Sequence, residues 1–292
     1  QIEKGQLNVV DQRYFESYGK DEIHQEMLRD EERINAYRLA LGELSEKKVV
    51  IDVGAGTGIL SMIAMDYGAT CVYAIEMSKI CHVAISNFQK KTYRKRISVH
   101  QCLAEDFTLG LDRADLIVSE WMGYFLIFEN MLPSVLAVRD NCLKEGGDII
   151  PREASLHIVG YFGEYKDSEQ QSVSNSQGTS CEAVVATIDE AQISTRKACI
   201  FEVDLRTVQD YTNEFNSQVK LHVLKDGELS GLCSWFNCLL AEGAPLDTSP
   251  FSKLTHWKQT IFQFSAKIPV KVDEVLDLSV HARPQKANHR AC

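Results

Sequence analysis

Hydrophobic residues in the first half of the chain form short strand-like runs, separated by stretches with helical spacing. The runs are rich in β-branched residues, as in Val-Val-Ile-Asp-Val at 49–53, which is typical of parallel strands buried on both faces. The predicted strands are 49–53, 71–75, 97–102 and 114–118, and the predicted helices are 23–41, one that begins near Ile59, and 129–143. This alternation predicts an α/β fold: a Rossmann-like, doubly wound parallel sheet that binds ligands at the carboxyl ends of its strands.

The pattern changes near Gly146-Gly147 and Pro151. Beyond this point apolar and polar residues alternate and helical spacing is rare. The predicted strands are 154–161, 198–203, 219–223, 232–240, 260–268 and 275–281. We therefore predict a Rossmann-like domain with N-terminal helices at 1–150, and an antiparallel sandwich or β-barrel-like domain at 151–292. The polar stretch 168–180 is too poor in apolar residues for a core, so we predict a loop or part of a projecting arm.

The composition favours a soluble globular protein and argues against a nucleic-acid-binding or metal-binding one. The chain has 292 residues, 45% of them hydrophobic and 25% charged, which is typical of a soluble globular protein without a membrane partner. Its net charge of −10 argues against binding nucleic acid through phosphates and suits a cationic protein partner. The nine cysteines lack a C-x-x-C pair and the eight histidines lack metal-ligand spacing. We therefore expect reduced thiols, no metal site and a cytoplasmic or nuclear location, or both.

A glycine-rich turn follows the first predicted strand. Gly54, Gly56 and Gly58 allow a tight turn and let a ligand approach the N-terminus of the next helix. Such a turn could serve NAD, FAD or S-adenosylmethionine, but the G-x-G-x-G spacing is not the G-x-G-x-x-G of dinucleotide sites. Glu76 ends the next strand, where a carboxylate can accept both ribose hydroxyls, and Glu105 is placed either to reach an adenine amino group or to face solvent. A nucleoside cofactor without a pyrophosphate fits best.

Two glutamates, Glu120 and Glu129, bracket eight residues that are aromatic, aliphatic or glycine, directly after the strand 114–118. Ionised carboxylates among so much apolar surface are unfavourable unless they reach water or pair with a cation. The loop is therefore either a surface loop or a clamp for a planar cation such as guanidinium, which forms two parallel hydrogen bonds with a carboxylate. The pair His256-Trp257 is likewise open to a packing or a functional interpretation.

Together these motifs resemble the protein arginine methyltransferases from Tyr14 to about Arg290, nearly the whole chain. The motifs that carry the resemblance are Tyr14-Phe15-x-Ser17-Tyr18, His24-x-x-Met27-Leu28-x-Asp30-x-x-Arg33, Val53-Gly54-Ala55-Gly56-Thr57-Gly58, Ser119-Glu120-Trp121-Met122-Gly123-Tyr124 through Glu129-x-Met131-Leu132, and Thr255-His256-Trp257. The double-glutamate loop and the Thr-His-Trp loop, in this order behind a methyltransferase glycine turn, are highly specific.

The resemblance implies a role for each matching residue. Glu120 and Glu129 would hold the substrate guanidinium, beside Met131 and Trp257. Asp30 and His256 would pair across the two domains and take part in catalysis. The residues implied to bind S-adenosyl-L-methionine, with S-adenosyl-L-homocysteine as product, are Tyr18, His24, Met27, Arg33, Asp52, Gly54, Gly56, Gly58, Glu76, Met77, Ala104 and Glu105. Among them, Arg33 would pair with the methionine carboxylate, Glu76 with the ribose and Glu105 with the adenine.

The resemblance also implies a product and partners. Met27 and Met131 look like the pair carried by members that make asymmetric dimethylarginine, so we expect mono- and then asymmetric dimethylation (type I) of Arg/Gly-rich or histone-like proteins. In the family, a helical arm after the first barrel strand docks on a second copy. The corresponding segment here, 166–197, is short and lacks an aromatic-rich start, but a homodimer through it is still expected.

Two other functions compete with this interpretation. The chain could be a catalytically weak regulatory partner of an active arginine methyltransferase, although the intact glutamate pair and glycine turn disfavour that. It could also methylate small molecules or RNA, which the net charge of −10 and the His256-Trp257 pair disfavour. Because the sequence begins at Gln1, we expect the natural N-terminus to have been trimmed.

Overall fold

The computed structural model describes residues 8–19, 21–89, 93, 95–110, 112–165, 183–209, 211–285 and 288–290. The chain divides into two compact units. An α/β unit comprises Gln1–Trp121, Leu132–Arg152 and Leu239–Pro245, and a β unit comprises Met122–Met131, Glu153–Cys238 and Leu246–Cys292. The double-glutamate loop thus divides between them, with Glu120 in the first unit and Glu129 in the second.

The α/β unit contains a five-stranded parallel sheet. Its elements are α1 (Val9–Ser17), α2 (Asp21–Arg29), α3 (Glu31–Leu44), β1 (Val49–Val53), α4 (Ile59–Asp66), β2 (Cys71–Ile75), α5 (Cys81–Gln89), β3 (Ile97–His100), β4 (Ala114–Ser119), α6 (Leu132–Cys142) and β5 (Leu143–Ile150). The strand order is β3-β2-β1-β4-β5, and neighbouring strands are parallel. The order of the strands reverses between β1 and β4, because β2 and β3 lie on one side of β1 and β4 and β5 lie on the other. In doubly wound folds, ligands bind at this point of the sheet.

Three segments of the α/β unit differ most from the prediction, and the strand predicted at 97–102 ends at His100. The helix predicted at 23–41 is two helices, because Asp30 interrupts it and caps α3 by accepting a hydrogen bond from the Arg33 amide (3.0 Å). The helix predicted from residue 129 begins at Leu132, since Glu129 and Asn130 have positive φ angles of 78° and 52°. The segment around Gly146-Gly147, for which we predicted no strand, forms part of β5, the fifth strand of the parallel sheet.

The β unit is built mainly from antiparallel strands. Its strands are β6 (Glu153–Phe162), β7 (Ala183–Ala186), β8 (Ala198–Asp204), β9 (Phe215–His222), β10 (Gly227–Ala241, whose last three residues are grouped with the α/β unit), β11 (Ala244–Asp247), β12 (Gln259–Val270) and β13 (Val275–Ala282). One sheet has the order β7-β12-β10-β6-β8, with β11 paired to β10, and β13 pairs with β9 in a second sheet. The predicted fold, a Rossmann-like domain followed by antiparallel strands, is confirmed.

The core of the β unit lies around Tyr161 and Trp235, which are almost completely buried. The Tyr161 hydroxyl donates to Gln263 Oε1 (2.6 Å), so the polar end of the buried ring has a partner. The predicted arm segment falls largely at 166–182, outside the described residues. Ala183–Ala186, which we had included in that arm, pairs with β12 as a strand of the sheet. Within the described residues, no helix combines the length and apolarity needed to cross a bilayer.

Candidate active site

The glycine turn between β1 and α4 has the geometry that its sequence predicts. Gly54, Gly56 and Gly58 have φ angles of 72°, 55° and 84°, in the left-handed region that favours glycine. A Cβ on Gly58 would lie 2.3 Å from Phe88 Cζ, and one on Gly56 would lie 3.1 Å from His24 Cε1. The left-handed backbone therefore favours glycine at all three positions, and close packing against Phe88 also requires it at Gly58.

Glu76 fixes this turn from the end of β2. Its two carboxylate oxygens accept hydrogen bonds from the Gly56 amide (2.9 Å) and the Ser78 amide (2.7 Å). Each carboxylate oxygen can accept about two hydrogen bonds, so each retains an acceptor position after these contacts. Glu76 is thus held rigidly at the carboxyl end of the sheet with capacity for two hydroxyl donors, as a ribose diol requires.

Asp52 supports the same turn from inside the sheet. It is completely buried, and its Oδ2 accepts a hydrogen bond from the Ser61 hydroxyl (2.6 Å). Burial, only partly offset by the hydrogen bonds from Ser61, raises the pKa of Asp52 to about 6. Its Oδ1 is buried without a hydrogen-bond partner.

The N-terminal helices place His24 against the glycine turn. The Tyr18 carbonyl lies 2.8 Å from His24 Nε2, and because a carbonyl can only accept, that nitrogen must carry the proton. The Tyr18 and His24 rings also meet edge to face, with centroids 6.2 Å apart. Tyr18, His24 and Gly56 are thus brought together, as three predicted cofactor residues should be.

A buried guanidinium lies beside the first glutamate of the double-glutamate loop. Arg33, on α3, is 5% exposed, and its Nη1 donates to the Met27 carbonyl (2.8 Å). Its Nε lies 3.3 Å from Glu120 Oε2, an ion pair rather than a hydrogen bond, since Nε lacks a partner with hydrogen-bond geometry. The pairing of Arg33 with a cofactor carboxylate stays a prediction.

Two side chains to which the sequence assigned no role hold the end of β4, just before Glu120. The Ser119 hydroxyl donates to the Val53 carbonyl (2.8 Å), and the Tyr37 hydroxyl donates to the Ser119 carbonyl (2.8 Å). Both side chains are fully buried. Tyr37 is one apolar position of the helix predicted at 23–41, and no local pattern in the sequence indicates this contact.

The other predicted cofactor residues follow β2 and β3. Met77 comes directly after Glu76, and its carbonyl accepts a hydrogen bond from the Gln101 side chain (3.3 Å). Ala104 and Glu105 form a short 3₁₀ turn after β3. The Glu105 carboxylate accepts a hydrogen bond from the Ser134 hydroxyl. Glu105 is therefore exposed but oriented, and its contact with adenine stays a prediction.

In the β unit, Trp257 anchors the middle of the double-glutamate loop. Its buried Nε1–H donates to the Met122 carbonyl (2.8 Å), and the His256 ring stacks on it with centroids 4.0 Å apart. The Thr260 hydroxyl donates to the Tyr124 carbonyl (3.1 Å). The structure thus places Trp257 as a support of the loop. Its predicted contact with substrate is not tested.

Four predicted residues complete the set. Glu129 and Met131 lie at the end of the loop in the β unit, before α6, and both are partly exposed. Asp30 caps α3 in the α/β unit, whereas His256 belongs to the β unit. The predicted pairing of these two residues stays a prediction. The described part of the chain has no group of three or more histidine, cysteine, aspartate or glutamate side chains arranged to hold a metal ion.

Comparison with known proteins agrees with this geometry. Residues 164–292 match the family described as the arginine methyltransferase oligomerization subdomain. Residues 34–151 match the family of the ribosomal protein L11 methyltransferase PrmA. Protein arginine N-methyltransferase 1 of Saccharomyces cerevisiae is 33% identical over 99% of this chain and 88% of its own length. The Dictyostelium discoideum protein of the same name is 36% identical over 95% of this chain and 86% of its own length.

Solved structures show the same likeness. A chain of the Trypanosoma brucei PRMT1 enzyme–prozyme heterotetrameric complex with AdoHcy superposes with a TM-score of 0.84 and 30% identity, over 94% of this chain and 92% of its own. Protein arginine methyltransferase 10 of Arabidopsis thaliana superposes with a TM-score of 0.84 and 25% identity, over 95% of this chain and 92% of its own. With nearly complete coverage in both directions, this chain belongs to the protein arginine N-methyltransferase family.

Proposed function

We propose that this protein transfers methyl groups from S-adenosylmethionine to guanidinium nitrogens of arginine in protein substrates, giving monomethylarginine and then asymmetric dimethylarginine. Arg/Gly-rich and histone-like proteins are the proposed substrates, since they are cationic and the chain carries a net charge of −10. Membership of the arginine methyltransferase family supports the reaction. The product type and the substrate class are our own extension.

One observation carries the proposal: Glu120 lies against a guanidinium in the α/β unit. Its side chain is 11% exposed, and the Arg33 Nε–Glu120 Oε2 distance is 3.3 Å. A carboxylate so far removed from water is stable only with cationic partners or several hydrogen-bond donors. Glu120 is thus in a setting that favours a second guanidinium, that of a substrate arginine, as a ligand for its remaining acceptor positions.

The residues around the glycine turn fit S-adenosylmethionine. Glu76 retains two acceptor positions suited to a ribose diol, and it holds the glycine turn by accepting a hydrogen bond from the Gly56 amide. His24 and Met27 would line the methionine side of this site, and Glu105 would take the adenine. When bound, the cofactor supplies an electrophilic methyl group on a sulfonium.

The chain's own residues prepare the arginine. Guanidinium is a poor nucleophile because its lone pairs are delocalised and its pKa is about 13.8. Carboxylates from Glu120 and Glu129 would draw positive charge toward the nitrogens that they contact and leave another nitrogen more nucleophilic. Holding that nitrogen in line with the methyl group lowers the barrier by positioning, and fixed carboxylates add electrostatic stabilisation. The proton released on transfer would pass to Glu129 or to the Asp30–His256 pair.

The direct test uses labelled S-adenosylmethionine with three acceptors: an Arg/Gly-rich peptide, its lysine-substituted twin, and RNA. We expect label only in the arginine peptide. Glu129→Gln should reduce transfer to a small residual rate while leaving cofactor affinity intact, whereas the control Glu202→Gln, at an exposed carboxylate on β8, should leave turnover normal. Near-normal turnover of Glu129→Gln would refute the clamp assignment, and label in the lysine peptide or in RNA would refute the substrate class.

The product type needs its own assay. Met27 and Met131 are both partly exposed and match in type the methionine pair of members that make asymmetric dimethylarginine. Mass spectrometry of the digested peptide should find monomethylarginine first and asymmetric dimethylarginine later. Formation of symmetric dimethylarginine alone would contradict this assignment and leave the transferase activity itself unaffected.

A regulatory role is the second candidate, because one structural relative is described as an enzyme–prozyme complex. In that case the purified chain would bind cofactor weakly and would raise the activity of another methyltransferase. Activity of the chain alone, lost in Glu129→Gln, would exclude this role. Inactivity alone, with stimulation of an active family member, would favour it.

Self-association is the proposed quaternary arrangement. Residues 164–292 match an oligomerization subdomain, and we propose a homodimer formed through the segment 166–197. Light scattering coupled to gel filtration should give twice the 32.9 kDa mass of the chain. A mass of one chain at micromolar concentration would refute the homodimer.

A further inference from the structure

The part of the double-glutamate loop that lies in the β unit has an unusual backbone. Leu126, Glu129 and Asn130 have φ angles of 54°, 78° and 52°. Each lies in the left-handed region, which is disfavoured for residues with a Cβ. Such conformations persist only where surrounding contacts impose them, and they are concentrated at functional sites. The contacts that impose the conformation of Glu129 therefore matter for the direction of its carboxylate.

One residue engages both backbone polar groups of Glu129. The Glu129 amide donates to the Arg290 carbonyl (2.6 Å), and Arg290 Nη1 donates to the Glu129 carbonyl (2.9 Å). The second is a charge-assisted hydrogen bond, a stronger type than a bond between neutral groups. Arg290 follows Glu129 by 161 positions in the chain. Residues this far apart in sequence meet through the fold of the β unit.

A second support lies two residues before Glu129. The buried Asn213 side chain donates through Nδ2 to the Ile127 carbonyl (3.2 Å). Its Oδ1 accepts a hydrogen bond from the Tyr211 hydroxyl (2.8 Å), which orients the amide. Side chains from elsewhere in the β unit thus hold the backbone from Ile127 to Glu129 at two carbonyls, those of its first and last residues.

We infer that Arg290 is a positioning residue for arginine methylation: it imposes the left-handed conformation of Glu129 and thereby aims the Glu129 carboxylate at the substrate guanidinium. The inference rests on the proposed function of Glu129. Substrate-positioning groups must be held within about 0.5 Å of their productive place, and a change in φ at Glu129 would swing its side chain by more than that. Arg290 acts through Glu129 and not on the reacting atoms.

The experiment compares Arg290→Ala with Arg290→Lys and the control Arg283→Ala. Arg283 is exposed, and its replacement removes the same charge from the same segment that follows β13. Loss of a partly buried hydrogen bond from a charged donor predicts that Arg290→Ala lowers kcat/KM for the arginine peptide about 10- to 100-fold. Arg290→Lys keeps a charged donor and should recover part of that loss. Arg283→Ala should stay within about twofold of the parent protein.

Two further readouts separate positioning from a general loss of structure. Affinity for S-adenosylhomocysteine and the thermal midpoint of Arg290→Lys should match those of Arg283→Ala. In a Glu129→Gln background, Arg290→Ala should lower the residual rate less than about threefold, because residues that act as one unit are not additive. A full 10- to 100-fold further loss in that background would show that Arg290 acts independently of Glu129 and would overturn the inference.

Each of the other possible results either supports or overturns the positioning role of Arg290. Equal activity of Arg290→Ala and Arg283→Ala would overturn the positioning role while leaving the transferase function intact. Increased turnover of Arg290→Ala would mean that its guanidinium competes with substrate, which also overturns it. If the parent protein does not methylate the arginine peptide, the proposed function itself fails. If Arg290→Ala does not fold, a loss of peptide kcat/KM in Arg290→Lys at normal cofactor affinity supports the positioning role, and no loss overturns it.

Discussion

The raised pKa of Asp52 predicts how the free energy of unfolding changes with pH. The carboxyl group is completely buried in β1, and its pKa is raised from 3.8 to about 6, chiefly by burial. This difference in pKa corresponds to about 3 kcal/mol of stability, at about 1.36 kcal/mol per pKa unit. Between these two pKa values the folded protein holds one proton more than the unfolded chain. The free energy of unfolding therefore decreases as the pH rises through this range, and above it the loss is complete.

Asp52→Asn removes this dependence, because an amide does not titrate and its oxygen can still accept the Ser61 hydroxyl. Between about pH 4.5 and pH 7.5 the parent protein should lose about 2 kcal/mol relative to the variant, the share of the total that falls in this interval. The comparison takes the free energy of unfolding of the parent minus that of the variant at each pH, and then the change in this difference between the two pH values. Any cost of the buried amide that does not depend on pH therefore cancels. Urea denaturation of both proteins at both pH values measures these free energies, provided that the m-values are equal.

Asp115→Asn is the matched control in the same sheet. Burial acts to raise the pKa of Asp115, but hydrogen bonds from Lys144 (2.7 Å) and from the Val49 amide (2.9 Å) outweigh burial, so this pKa is lowered. Its stabilisation is present throughout the interval and is lost only at more acid pH, so the control should show a nearly constant deficit. If the stability of the parent protein relative to Asp52→Asn does not change with pH, or decreases toward acid pH, the burial argument is wrong.

Three further substitutions test the site. Glu76→Gln replaces one carboxylate oxygen, which accepts a hydrogen bond from a backbone amide, by an NH₂ group that can only donate. The affinity for S-adenosylhomocysteine, measured by calorimetry, should therefore fall about 10- to 100-fold. Unchanged affinity would contradict the proposed role of Glu76 in cofactor binding. Gly123→Ala would place a Cβ 2.1 Å from the Phe128 carbonyl oxygen, so peptide turnover should fall more than about tenfold at normal cofactor affinity, and normal turnover would show that the loop can adapt. Trp257→Phe leaves the buried Met122 carbonyl without its donor and should destabilise the protein by about 1–3 kcal/mol in urea, whereas no loss would mean that another donor replaces it.

Local features were predictable from the sequence. The strands Val49–Val53 and Cys71–Ile75 have the predicted bounds, because β-branched and apolar runs of this length suit a sheet buried on both faces. The glycine turn was predictable because left-handed backbone favours glycine. Short strands were not predictable: Ala244–Asp247 contains Pro245 and reads as a loop, yet it pairs with β10 in the sheet.

The supports of the site were harder to predict. Two carboxylates in an apolar run require an explanation, and the resemblance to the arginine methyltransferases implies that Glu120 and Glu129 act as a pair. It gives no indication that Arg290 binds the Glu129 backbone or that Tyr37 binds the Ser119 carbonyl (2.8 Å). These contacts join residues 161 and 82 positions apart. Neither periodicity nor turn chemistry records pairings over such distances, because these patterns reflect only local structure.

The two glutamates of the loop depend on different parts of the fold. Glu120 follows β4, whose end is fixed by Ser119, and it lies beside Arg33, so its position is coupled to the elements that surround the glycine turn. Glu129 belongs to the β unit, where Arg290 holds its backbone at both polar groups. The proposed guanidinium clamp uses both carboxylates, whereas the glycine turn needs only the first set of supports. Damage to the supports of Glu129 should therefore impair methyl transfer and spare cofactor binding, whereas damage around Glu120 should affect both.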